Sequence, residues 1–172
     1  MDDLSAPLWP MKRIIILLLA LMPIVASAQD YKKLDSIEVP DYPGNAIIIS
    51  KSTTPPIMHT ASYALATRGI NATITPENIE YDFYFRIDDA IDYKGMTARL
   101  WIGGETYYKT VFYANENSAY IDLTSENIEH IAVSGLQGVD FLSGAYSSKH
   151  QFNDIEQELW RRTAEAITNL KL

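Results

Sequence analysis

The sequence predicts an α+β fold: a mostly antiparallel sheet with a C-terminal helix packed on one face. Three observations carry this. Residues Tyr81–Ile87 alternate, with Tyr81, Phe83, Phe85 and Ile87 on one side and Asp82, Tyr84 and Arg86 on the other, the period of a half-buried strand. Thr97–Ile102 and Glu105–Tyr113 flank Gly103-Gly104, and two glycines supply the positive φ angles of a two-residue hairpin turn. The strand-like segments precede the helical ones without regular alternation, which favours an antiparallel sheet over βαβ units.

In chain order, residues 29–43 are polar, contain Pro40 and Pro43, and read as an extended leader. Ala46–Ile49 is an apolar run bounded by turn residues, a short strand. Thr60–Thr67 suits a strand or a helix and is ended by Arg68-Gly69. Thr75-Pro76 looks like a cap followed by a first-turn proline and predicts one helical turn. Ala119–Leu123 is a short strand. Thr124 caps a helix over Ser125–Val133 that Gly135 stops. The segments 74–80 and 123–129 echo each other, Ile-Thr-Pro-Glu-Asn-Ile-Glu against Leu-Thr-Ser-Glu-Asn-Ile-Glu, which reads as shared capping chemistry. Val139–Leu142 is another short strand. The final helix is capped by Asn153 or Asp154, with Glu156 and Glu158 toward its positive end and Lys171 at its negative end. Its apolar stripe is Ile155, Leu159, Ala166, Ile167 and Leu170. Ile155, Leu159 and Ile167 are expected to bury against Phe83 and Phe85.

The hairpin fixes its own register. Ile102 faces Glu105, Trp101 faces Thr106, Leu100 faces Tyr107, and Arg99 faces Tyr108. Leu100 and Ile102 then share the aliphatic side, expected in the core, and Arg99, Trp101 and Tyr108 share the other. That second side is either an exposed aromatic platform or lies beneath a helix.

The N-terminus carries a targeting pattern. Lys12-Arg13 precedes the apolar run Ile14–Val25, and Ala26-Ser27-Ala28 follows. These are the basic start, apolar core and small-x-small cleavage site of a secretory signal peptide. Twelve helical residues span about 18 Å, short of the ~30 Å hydrocarbon core. Asp2 and Asp3 do not suit a signal peptide, so Met11 is the expected start. The expected organisation is an N-terminal extension and cleaved signal peptide over 1–28, an extended leader with a short strand over 29–56, and a single α+β domain over 57–172. After cleavage no transmembrane segment is expected, and the location is periplasmic or secreted.

The composition excludes several functions. The 172 residues include no cysteine, which removes disulfide scaffolds, thiolate zinc sites and thiol enzymes. A net charge of −8 argues against nucleic acid as a partner. The chain has no Gly-x-Ser-x-Gly, phosphate loop, Gly-x-Gly-x-x-Gly or His-Glu-x-x-His, so no catalytic residue is assigned. His59, His130 and His150 lack metal-ligand spacing. Asp88, Asp89 and Asp92 fit a polar turn better than a calcium loop. No metal or cofactor is expected.

The aromatic strands carry the functional expectation. Tyr84, Arg99, Trp101 and Tyr108 are the candidate ligand-binding residues, because exposed aromatics on a rigid sheet can stack on sugars or anchor a partner. The expected function is an exported non-enzymatic domain binding a protein, peptide or glycan. The alternatives are a small envelope hydrolase using acidic residues and a structural accessory subunit. The signal peptide ending Ala-Ser-Ala before Gln29, and the order of strand, hairpin and helices over residues 80–170, resemble small exported domains of Bacteroidota. The resemblance implies export and an α+β fold, and no activity.

Overall fold

The computed structural model describes residues 30–39, 41, 44–63, 68–86, 92–115 and 118–170. The signal peptide, the Met11 start, Ile87, Asp88, Asp89 and Lys171 lie outside them. The elements are β1 (Tyr31–Glu38), β2 (Ala46–Ser52), β3 (Met58–Tyr63), β4 (Arg68–Ile74), β5 (Ile79–Arg86), β6 (Thr97–Ile102), β7 (Glu105–Asn115), β8 (Ser118–Leu123), α1 (Ser125–Ser134), β9 (Leu136–Ser143), β10 (Tyr146–Gln151) and α2 (Asp154–Thr168).

All ten strands form one sheet in the order β1-β2-β3-β4-β5-β8-β7-β6-β9-β10, and every pairing is antiparallel. The C-terminal helix α2 packs on β2, β3 and β4 and against α1, while α1 contacts β6. The protein is therefore α+β, mostly sheet, with a C-terminal helix on one face.

The sheet curls around its helix side. Phe85 on β5 and Phe141 on β9 are four strands apart, roughly 19 Å in a flat sheet. Their ring centroids are 6.4 Å apart, and Phe85 lies 5.0 Å from the ring of His150 on β10. Bulges in the β7–β8 pairing at Val111/Tyr113 and in the β6–β9 pairing at Trp101/Ile102 supply local bends. The rolled inner surface and the two helices enclose one core that includes Phe83, Phe85, Leu100, Ile121, Phe141 and Trp160. The outer surface carries no helix among the described residues.

Local chemistry explains the boundaries. Gly103 and Gly104 adopt φ of 57° and 85°, and the β6–β7 register is the one that this turn demands. Thr124 closes a capping box with Asn127, and Gly135 ends α1 at φ 73°. Asn153, rather than Asp154, caps α2, with Glu156 reaching back to its backbone N–H. The Arg68 guanidinium pairs with Glu156 and stacks over Phe85 and Phe152 at 4.7 and 5.5 Å, tying β4 to the start of α2.

Several expectations are corrected. Thr75–Asn78 forms no helical turn. Thr75 Oγ1 accepts the Asn78 N–H at 3.0 Å, but Ile79 enters β5 at once, so the cap closes a hairpin loop. The same chemistry at Thr124 does start a helix. Gly69 lies inside β4 and does not end an element. The strand expected at Val139–Leu142 runs from Leu136 to Ser143, and β10 completes its hairpin. The stretch read as a leader supplies β1, which pairs with β2. Ile155 is 44% exposed. The buried face of α2 is Leu159, Trp160, Thr163, Ala164, Ala166 and Ile167; at about 100° per residue its centre is near Trp160 and Thr163, with Ile155 on the flank. Trp160 takes the position against Phe83, at 4.9 Å, with Tyr63 edge-on at 5.1 Å.

Candidate functional site on the outer face

Antiparallel register builds two rows of side chains straight across the outer face. One is Thr60, Asn71, Asp82 and Asp122; the next is Ser62, Gly69, Tyr84 and Tyr120. The first row is a hydrogen-bonded ladder. Thr60 Oγ1 donates to Asn71 Oδ1 at 2.8 Å, and Asn71 Nδ2 donates to Asp82 Oδ1 at 2.8 Å. Burial, opposed by the Asn71 hydrogen bond and assisted by the Asp122 charge, pushes the Asp82 carboxyl up to about 6. In the second row the Tyr84 ring lies over its partner glycine. A Cβ at Gly69 would sit 2.8 and 2.9 Å from the Tyr84 hydroxyl and Cε1. Tyr120 lies beside it at 6.2 Å, and Phe112 packs edge-on against Tyr120 at 6.1 Å. Burial, more than any neighbouring charge, pushes the Tyr84 phenol up to about 12.

Across from these rings stands Tyr31 of β1, whose hydroxyl reaches Met58 Sδ at 3.9 Å. Tyr31, Tyr84 and Tyr120 wall a groove of about 420 Å³ whose floor includes Ile48, Ser50, Thr60, Ser62 and Asn71. Aromatic walls over a floor of hydroxyls and an amide suit a ligand with apolar faces and polar edges.

The other three candidate residues stand together elsewhere. Arg99, Trp101 and Tyr108 share the outer side of the β6–β7 hairpin, with Arg99 opposite Tyr108. Trp101 is half-buried and shares a cleft with Gln157 of α2, while Tyr108 is 63% exposed. Trp101 also lies on a glycine: a Cβ at its β9 partner Gly138 would sit 3.0 Å from the indole Cε3. The Arg99 guanidinium and the Lys149 ammonium each sit 4.9 Å from the indole centroid. Arg99 pairs at 2.6 Å with Asp140, a buried carboxylate that also accepts the Ser147 hydroxyl at 2.7 Å. Tyr84 is not part of this group. It is on β5, three strands from β6, and the curl of the sheet separates the two surfaces.

Asp82 and Asp122, directly opposite on β5 and β8, form a carboxylate pair beside the groove. No group of three acidic or histidine side chains among the described residues is placed to hold a metal ion. No helix among them is long and apolar enough to cross a membrane. A further cleft, about 530 Å³, lies on the helix side between β1–β2 and the end of α2, lined by Ile37, Ile47, Ile49, Ala166 and Leu170 among others. Its floor is the core itself.

Sequence reasoning missed Tyr31, Asn71 and Asp82 as site residues. Asn71 carries no sequence signal, because only the pairing of β4 with β3 and β5 brings it between Thr60 and Asp82. Gly69 and Gly138 were a usable signal: glycine inside a strand marks a close approach, and here each admits an aromatic ring. No family model, no curated protein and no solved structure matches this chain.

Proposed function

We propose that the protein is an exported, non-catalytic binding domain that takes a glycan in the outer-face groove. The carrying observation is the Tyr84 ring laid on Gly69 beside the Thr60–Asn71–Asp82 ladder. A pyranose presents C–H faces that stack on tyrosine and hydroxyls that meet amide, hydroxyl and carboxylate groups. Tyr31 and Tyr120 close the groove on its two sides. Export to the periplasm or beyond rests on the Lys12-Arg13, Ile14–Val25 and Ala26-x-Ala28 pattern.

The test is glycan-array binding of the purified protein and of Tyr84→Ala. Saccharide binding that falls about tenfold or more in the variant, with circular dichroism unchanged, is the expected result. Retention of peptides and no glycan would overturn this reading in favour of a peptide ligand.

One observation favours a hydrolase instead. Asp82 and Asp122 face each other, and Asp82 is held up at about 6, as a general acid requires. Reducing-end release by the wild type that disappears in Asp82→Asn would establish it. Binding without turnover is the outcome the proposal requires.

A further inference from the structure

We infer that the cleft beside Trp101 is a second site, separate from the Tyr84 groove, that receives the anionic group of an acidic sugar residue, a carboxylate or a sulfate, and so gives the protein a preference for acidic saccharides. This deepens the glycan reading and rests on it. The cleft has a volume of about 330 Å³ and is lined by Trp101, Gln137, Lys149, Gln151 and Gln157.

Two cations share one indole, and only one of them is neutralised. Both are drawn to the negative ring face and repel each other. Arg99 is balanced by the buried Asp140. Lys149 stands opposite Asp140 in the β9–β10 register, yet its ammonium makes no ion pair among the described residues; Asp140 is occupied by Arg99 and Ser147. An anion over Lys149 would complete the charge balance.

The amides that line the cleft with Lys149 keep unused hydrogen-bonding groups. Gln137 Oε1 accepts the Gly104 N–H at 3.1 Å, which leaves its amide N–H groups to donate. Gln157 Nε2 donates to the Phe152 carbonyl at 2.9 Å, which leaves its oxygen to accept a sugar hydroxyl. The cleft therefore offers an ammonium and an amide donor for the anion, an amide acceptor for a hydroxyl, and an aromatic edge for the ring. The chain as a whole carries −8 and repels anions, so a cationic cleft here discriminates by sign.

The experiment is an array of matched neutral, carboxylated and sulfated oligosaccharides, probed with the wild type, Lys149→Gln, Lys149→Arg and Tyr84→Ala. Lys149 is exposed, so its substitution leaves the fold intact. The wild type is expected to prefer acidic members about tenfold over their neutral counterparts, with the preference shrinking as salt rises. Lys149→Gln should lose the preference and keep neutral binding; Lys149→Arg should keep both. The carboxylated and sulfated arms identify which anion is used. No preference in the wild type, or an undiminished preference in Lys149→Gln, overturns the inference and leaves the glycan reading standing. No glycan binding by the wild type overturns both.

Discussion

Tyr84 stands directly opposite Gly69 on the neighbouring strand, and its ring occupies the space that a side chain at Gly69 would fill. Trp101 does the same over Gly138. The sheet thus presents two aromatic surfaces on its outer side without raising them on loops, because each ring lies down on a strand position that has no Cβ. Rings held by backbone are pre-organised, and little conformational entropy is lost when a ligand stacks on them.

Gly69→Ala is expected to destabilise the protein by about 1–3 kcal/mol, as overpacking does. The new Cβ meets the Ala61 carbonyl oxygen as well as the Tyr84 ring, and the backbone atom cannot swing aside. Thermal unfolding checks this. A midpoint equal to the wild type would mean that the ring does not rest there.

Asp82→Asn is expected to stabilise the protein at pH 7.5 and to have little effect at pH 3.5. Burial raises the Asp82 carboxyl from 3.8 to about 6 in the fold, so the folded state holds a proton that the unfolded chain has released. Stability is therefore drawn down as pH rises from about 4 to about 6. The cost is complete above that range and absent below it. A displacement of this size corresponds to about 1–3 kcal/mol. Denaturant melts at the two pH values measure it; a stabilisation equal at both would contradict the assignment.

The face of α2 is tested by three substitutions. Trp160→Ala should cost about 3–5 kcal/mol, because the indole is fully buried among Tyr63, Phe83 and Phe152. Leu159→Asp should be similarly severe, since it buries an unpaired carboxylate. Ile155→Asp should fall within about 0.5 kcal/mol of the wild type, as exposed substitutions do. A mild Trp160→Ala beside a severe Ile155→Asp would restore the stripe read from the sequence.

Removing the Asn153 cap should cost about 1 kcal/mol. Its side chain accepts the Glu156 N–H at 2.9 Å, and Glu156 also engages Arg68. Asn153→Ala should therefore lower the melting midpoint, while Asn153→Asp leaves it nearly unchanged. Equal losses in both would argue against the cap.

Local chemistry made much of the fold legible. The Gly103-Gly104 turn set the hairpin register, and with it the separation of Leu100 and Ile102 from Arg99, Trp101 and Tyr108. The caps at Thr124 and Asn153 marked both helices. What stayed hidden depends on long-range pairing. The order β5-β8-β7-β6 reverses three strands against the chain, and no local signal encodes it. That order, and the curl it allows, sets Tyr84 apart from Trp101. It also joins Tyr84 to Tyr120 and brings Asp82 opposite Asp122; Tyr31 reaches the same groove through the pairing of β1 with β2, from a stretch that reads as leader. β10 escaped notice because its Ser147, Ser148, Lys149 and His150 have no apolar period; it is an edge strand, and the alternation that identifies buried strands is absent from it.

The most direct test of the account is where a saccharide docks. Amide chemical shifts of the isotope-labelled protein, followed during titration with an oligosaccharide selected on the array, locate it. The account predicts perturbations centred on Ser62, Asn71, Tyr84 and Tyr120, with Ile47, Ile49 and Ala166 in the helix-side cleft unmoved. Perturbations concentrated in that cleft, with the Tyr84 and Tyr120 signals unchanged, would contradict it.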